Sequence, residues 1–166
     1  MRPALIAVLT ATFMVMSAAT AAATITFTQH FTQNPQPDII PVSCSPAGNA
    51  ISINSTGNGV LHFTQNSAGD FWATGTFEGT GTVTAGFSPN PFDQHPSFTP
   101  TGPVYTGHTM EWFGVEENNQ NFVNHATFNF NGTDATGAPI GIHAAFQITM
   151  NANGVTTVSN FTISCR

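Results

Sequence analysis

Pro103-Val-Tyr-Thr-Gly-His-Thr-Met-Glu-Trp-Phe-Gly-Val115 is the stretch whose reading decides the fold. It is the longest strand-like run in the chain, rich in β-branched and aromatic residues, and it follows the longer of two proline-rich segments. It also carries Tyr105, His108, Glu111 and Trp112, four of the few side chains able to do chemistry or hold a ligand. The same period-two alternation recurs on both sides of it, broken by turn signals, and no helical stripe appears after the first residues. The class expected is therefore all-β.

Working outward, strands are expected over 24–32, 49–55, 60–65, 71–77, 81–87, 103–115, 122–131, 140–150 and 155–165. Gly57-Asn58-Gly59 and Glu78-Gly79-Thr80 read as tight turns, and Asn153-Gly154 as a strong hairpin signal. Residues 34–46 form a proline-rich connector, and Pro89, Pro91, Pro96 and Pro100 keep 88–102 out of any central strand. Eight to nine antiparallel strands, mostly up-and-down, fit a closed barrel, which removes exposed edges; a β-sandwich is the alternative. The two cysteines, Cys44 and Cys165, would then lie at one end of the barrel, and their even count in an exported chain reads as a disulfide.

Export is inferred from the first residues. Arg2, the apolar run Ala4–Met16 and the small residues up to Ala23 have the order of a cleaved signal peptide. The run is short for a bilayer span, which needs ~20 residues. Residues 1–23 are thus read as leader and 24–166 as one domain.

The chain contains no lysine, and beyond Arg2 its one arginine is Arg166. Its formal charge is −6, and one unit more negative without Arg2. Nothing is present to neutralise phosphates, so nucleic acid and anionic lipid are excluded as electrostatic partners. Although only 6% of residues are charged, 40% are hydrophobic and 15 are Phe, enough for a core.

Pairing the Pro103–Val115 strand with the next through a turn over 116–121 sets Val115 opposite Phe122, Glu111 opposite Ala126 and Thr109 opposite Phe128. Glu111 then shares the Phe-bearing face with Tyr105, Thr109 and Asn124. A carboxylate in such a place must be hydrogen-bonded, shifted in pKa, or wet, which makes it a candidate ligand anchor. A slip of one residue would turn it to solvent. On the other face, His108, Asn129 and His143 form a polar row. Its two imidazoles lie too far apart for joint metal ligation, so no metal and no cofactor are expected. No Gly-x-Ser-x-Gly elbow or Gly-Lys-Thr/Ser phosphate loop is present. Only one inward carboxylate can be placed, which argues against a paired-acid glycosidase.

The Thr24-Ile-Thr-Phe-Thr-Gln-His30 start, the Val60-Leu-His-Phe-Thr64 segment, Tyr105–Gly114 and the terminal Cys165 together resemble a group of small secreted proteins of high-GC Gram-positive bacteria. The resemblance implies an extracellular or cell-wall location and an all-β fold, and it carries no mechanism. The barrel outline is lipocalin-like by analogy only. The function expected is a secreted barrel that binds a small apolar or amphipathic ligand through Glu111 and Tyr105. Two alternatives stand beside it: a pocketless surface protein contacting cell-wall polysaccharide through its Thr/Asn/His face, and a barrel enzyme of the cyclase or isomerase type using Glu111 as acid or base.

Overall fold

The structure is a computed structural model, and it describes residues 24–35, 37–40, 48–90 and 97–166. Among the described residues every regular element is a β-strand. They are β1 (Ile25–Gln33), β2 (Pro37–Ile40), β3 (Ala50–Gln65), β4 (Phe71–Phe87), β5 (Thr99–Glu117), β6 (Asn121–Thr133), β7 (Pro139–Asn151) and β8 (Thr156–Cys165). They form one antiparallel sheet in the order β1-β3-β4-β5-β6-β7-β8, with β2 also paired to β3. β1 pairs residues 57–65 of β3 and β2 pairs residues 51–54, so the two make one interrupted edge strand.

Two corrections to the expected strands have the same cause. Gly57-Asn58-Gly59 and Glu78-Gly79-Thr80 are not turns but the middles of β3 and β4, which run 16 and 17 residues without a break. The inward set stays odd-numbered through both, from Ile51 and Ile53 to Phe63 and from Ala73 and Phe77 to Val83. Gly57 and Gly79 are direct partners. A Cβ on Gly79 would lie 2.1 Å from the Thr56 carbonyl oxygen, and one on Gly57 would lie 2.2 Å from that of Glu78. The line continues through Gly81, Gly107 and Gly132, which face one another across β4, β5 and β6. A Cβ on Gly107 would meet the Asn131 oxygen at 2.0 Å. Neighbouring backbones thus occupy the space where inward Cβ atoms would stand, and the sheet creases towards that face.

The crease shapes the core. Ile51, Ile53, Val83, Phe130 and Ile142 form one buried cluster, with Ile40, Tyr105, Phe128, Ile140, Ile163 and Cys165 packed against it. In a flat sheet Val83 and Phe130 would stand ~16 Å apart, from two strand spacings and four residues along the strand. Their shared cluster requires the sheet to coil over itself. Coiling buries apolar side chains without closure, and this corrects the expected barrel: among the described residues the β1/β2 edge and β8 do not hydrogen-bond to each other.

Three hairpins use one turn chemistry. At Asn66–Asp70, Asp134–Ala138 and Asn151–Val155 an Asx side-chain oxygen accepts backbone N–H bonds at 2.8–3.0 Å, and the residue three later is a glycine at positive φ, Gly69, Gly137 or Gly154. Among the described residues no cysteine is a free thiol. Cys44, the expected leader over 1–23, and Phe92 and His95 of the second proline-rich segment lie outside the described residues.

If the crease sets the coil, a methyl group at Gly107 forces β5 and β6 apart. Gly107→Ala is expected to lower stability by at least about 2 kcal/mol. At Gly141 the nearest atom to an added Cβ is the Asn131 side-chain oxygen, at 3.3 Å, so Gly141→Ala should stay within about 0.5 kcal/mol of the parent. Urea unfolding of the two variants checks this; equal effects would contradict the crease.

Candidate functional site

Thr109 and Glu111 are two residues apart on β5 and share its inward face. Glu111 stands between Phe77 of β4 and Phe128 of β6. Thr109 stands between Gly79 and Phe130. The observed register is two residues from the expected one: Glu117, not Val115, meets Phe122, and Glu111 meets Phe128. The cause is Asn118. Its side-chain oxygen accepts the N–H groups of Gln120 and Asn121 at 2.9 and 2.8 Å, which tightens the turn and lets β5 run on through Glu117. A shift of two leaves every side chain on its face, so Glu111 points inward as expected.

The sequence-level grouping of four is only partly assembled. Thr109 and Glu111 are neighbours. Asn124 is buried at 8% exposure but pairs with Val115, two inward positions further along β5 from Glu111, ~13 Å in an extended strand. Tyr105 pairs with Val83 and packs on the opposite end of the core. On the outer face Asn129 meets His143 as expected, with Nδ1 and Oδ1 2.8 Å apart. His108 leaves the expected row: the same two-residue shift sets it opposite Asn131, and its Nε2 lies 2.9 Å from Glu78.

The site also contains a residue that sequence reasoning missed. Asp38, inside the proline-rich connector, is the inward partner of Ile53 on β2. A flat sheet would hold it ~25 Å from Glu111, counting three strand spacings and six residues. In the coiled sheet its charge reaches Glu111: burial first, and then the Asp38 carboxylate, push Glu111 up from 4.5 to about 7. Burial likewise raises Asp38. The one signal available was Asp38-Ile39-Ile40, a β-type run too short to stand out among Pro35, Pro37 and Pro41.

Thr109 is 0% exposed, and its hydroxyl has no hydrogen-bond partner among the described residues. A buried unsatisfied hydroxyl costs about 1–3 kcal/mol, so such a group calls for an explanation. The inner face therefore offers two carboxyl groups and one unsatisfied hydroxyl in Phe-lined surroundings. Phe113 adds to the apolar lining: its ring lies where a Cβ on Gly75 would be, 2.1 Å from that position. Among the described residues no group of three or more His, Cys, Asp or Glu side chains gathers to hold a metal ion.

The outer face offers different chemistry. Trp112, 39% exposed, stacks on His125 with ring centres 4.6 Å apart. Near the end of β6, β7 and β8 a largely apolar groove of about 670 Å³ is lined by Pro139, Ile140 and Ile142 together with Asn129, His143 and Arg166. It does not include Glu111.

A raised acid sets the sign of the pH dependence. The folded protein holds the Glu111 proton more tightly than the unfolded chain does, so the penalty is absent below about pH 4.5 and complete above about pH 7. Stability should fall across that interval, and Asp38 acts in the same direction. Glu111→Gln is expected to be near neutral at pH 4 and stabilising by about 1–3 kcal/mol at pH 8. Chemical unfolding at both pH values reads the difference; a variant less stable than the parent at pH 8 would contradict the burial. No family model, no curated protein and no solved structure matches this chain.

Proposed function

We propose that this is a secreted binding module which takes a small apolar or amphipathic ligand on the concave face of its coiled sheet. The observation that carries the reading is Thr109 beside Glu111: a fully buried hydroxyl without a partner among the described residues, next to a carboxyl that burial and then Asp38 push up to about 7, between Phe77 and Phe128. Ligand sites combine an apolar lining with a few convergent polar groups, and perturbed acids gather at them. Tyr105 and Asn124 contribute to the wider inner face and not to this polar centre.

The test is native mass spectrometry of the protein taken directly from producing cells, followed by amide NMR with added 1-octanol. A retained small-molecule adduct, diminished in Glu111→Gln, and shifts confined to inward residues of β4–β6 are expected. No adduct together with no octanol-dependent shifts would overturn the reading.

A second reading is favoured by the outer face. The Trp112–His125 ring pair and the asparagines at the groove rim suit a cell-wall polysaccharide, which aromatic and amide side chains hold without charge. In that case Trp112→Ala abolishes retention on cell-wall material while Glu111→Gln does not. An acid near 7 also suits proton transfer, which keeps a cyclase- or isomerase-type enzyme as a third reading of Glu111.

Export and a Cys44–Cys165 bridge belong to the same proposal. They rest on the leader-like residues 1–23, the even cysteine count, and the absence of a free thiol among the described residues. The protein recovered from the medium should begin near Thr24 and take up no iodoacetamide until it is reduced. Labelling of Cys165 in the unreduced, unfolded protein would rule the bridge out.

A further inference from the structure

Resting on the concave-face reading, we infer that the site selects a cationic ligand, an organic ammonium with an apolar body, held between Asp38 and Glu111 with Thr109 Oγ1 accepting one of its N–H bonds. Three independent observations converge. The first is geometric: Ile40 and Ile53, beside Asp38, share one core cluster with Phe128, the neighbour of Glu111, so the coil brings the β2 edge towards the middle of β5, though the two acids are ~25 Å apart along the flat sheet. The second is the Thr109 hydroxyl, fully buried, without a partner among the described residues, and on the same inward face one position from Glu111.

The third is a matter of supply. Buried carboxylates are ordinarily compensated by a lysine or arginine. This chain has no lysine, and Arg166 is its only cationic side chain beyond Arg2. Arg166 is exposed and lines the groove at the end of β6–β8. Among the described residues no cation enters the surroundings of either acid: burial raises Asp38, and burial and then Asp38 raise Glu111. The positive charge that would settle this pair must come from outside the chain. An ammonium supplies it, and its three donors suit two carboxylates and a hydroxyl acceptor. Phe77 and Phe128, the register neighbours of Glu111 on either side, would add apolar area for the body of the ligand.

A neutral ligand would leave both acids uncompensated, and an anionic one would add a third negative charge. The site should therefore rank octylammonium above 1-octanol and 1-octanol above octanoate, three probes that share one tail. Calorimetric titration at pH 8 tests this on the parent protein and on Glu111→Gln and Asp38→Asn. Both substitutions keep side-chain shape, and circular dichroism confirms that the variants are folded.

Octylammonium is expected to bind at least about tenfold more tightly than 1-octanol, and each substitution should bring the two affinities to within about threefold of each other. Equal affinity for the two probes, or a preference that survives both substitutions, would overturn the cationic ligand and leave the concave binding face standing. Binding of none of the three would overturn the binding face as well.

Discussion

The contact on which the rest of this molecule depends is backbone against backbone. Gly57 meets Gly79, and Gly107 meets Gly132, at separations that leave no room for a Cβ. Long strands in a flat antiparallel sheet would expose one whole apolar face, an arrangement with a strong tendency to aggregate. Here the strands crease at their glycines, and the sheet folds its apolar face inward. Val83 and Ile53 from one half then share a core with Phe130 and Ile142 from the other. Among the described residues two edges are left unpaired, and Phe27 and Phe161 near them remain partly exposed.

The same crease produces the electrostatics of the inner face. It moves an edge aspartate towards a central glutamate and puts Phe rings beside the glutamate. A carboxylate so placed has lost its water and gained a like charge, and both effects favour the protonated form. With no lysine in the chain, the fold contains no internal remedy. Uncompensated buried acids are costly, and natural folds carry such costs chiefly where a ligand removes them. The outer face shows the opposite economy: Thr28 to His62, Thr32 to Asn58, and His143 to Asn129 are satisfied side chain to side chain across the strands.

How much of this was legible follows from which signals carry long-range information. Period-two alternation is local and strong, so the all-β antiparallel class and the main strands could be read directly. The inward direction of Glu111 was legible too, because an error of two residues in register does not change the face. Glycines misled, since a glycine that permits a turn equally permits a crease. Asn66–Gly69, Asp134–Gly137 and Asn151–Gly154 share an Asx-x-x-Gly spacing and are turns, but Asn54–Gly57 has the same spacing inside β3. The unbroken odd-numbered phase from Ile51 to Phe63 was the better guide. Open coil against closed barrel, and the approach of Asp38, were beyond reach, since both depend on how far the sheet bends and not on any local pattern.

One titration bears on all of this directly. The Glu111 side-chain carboxyl carbon, followed by NMR from pH 3 to pH 9 in the parent protein and in Asp38→Asn, reports both its burial and its neighbour. The account predicts a midpoint near 7 in the parent and a lower one in the variant. A midpoint at the ordinary 4.5, unmoved by Asp38→Asn, would show a glutamate in free contact with water and would contradict the coiled, acid-bearing interior described here.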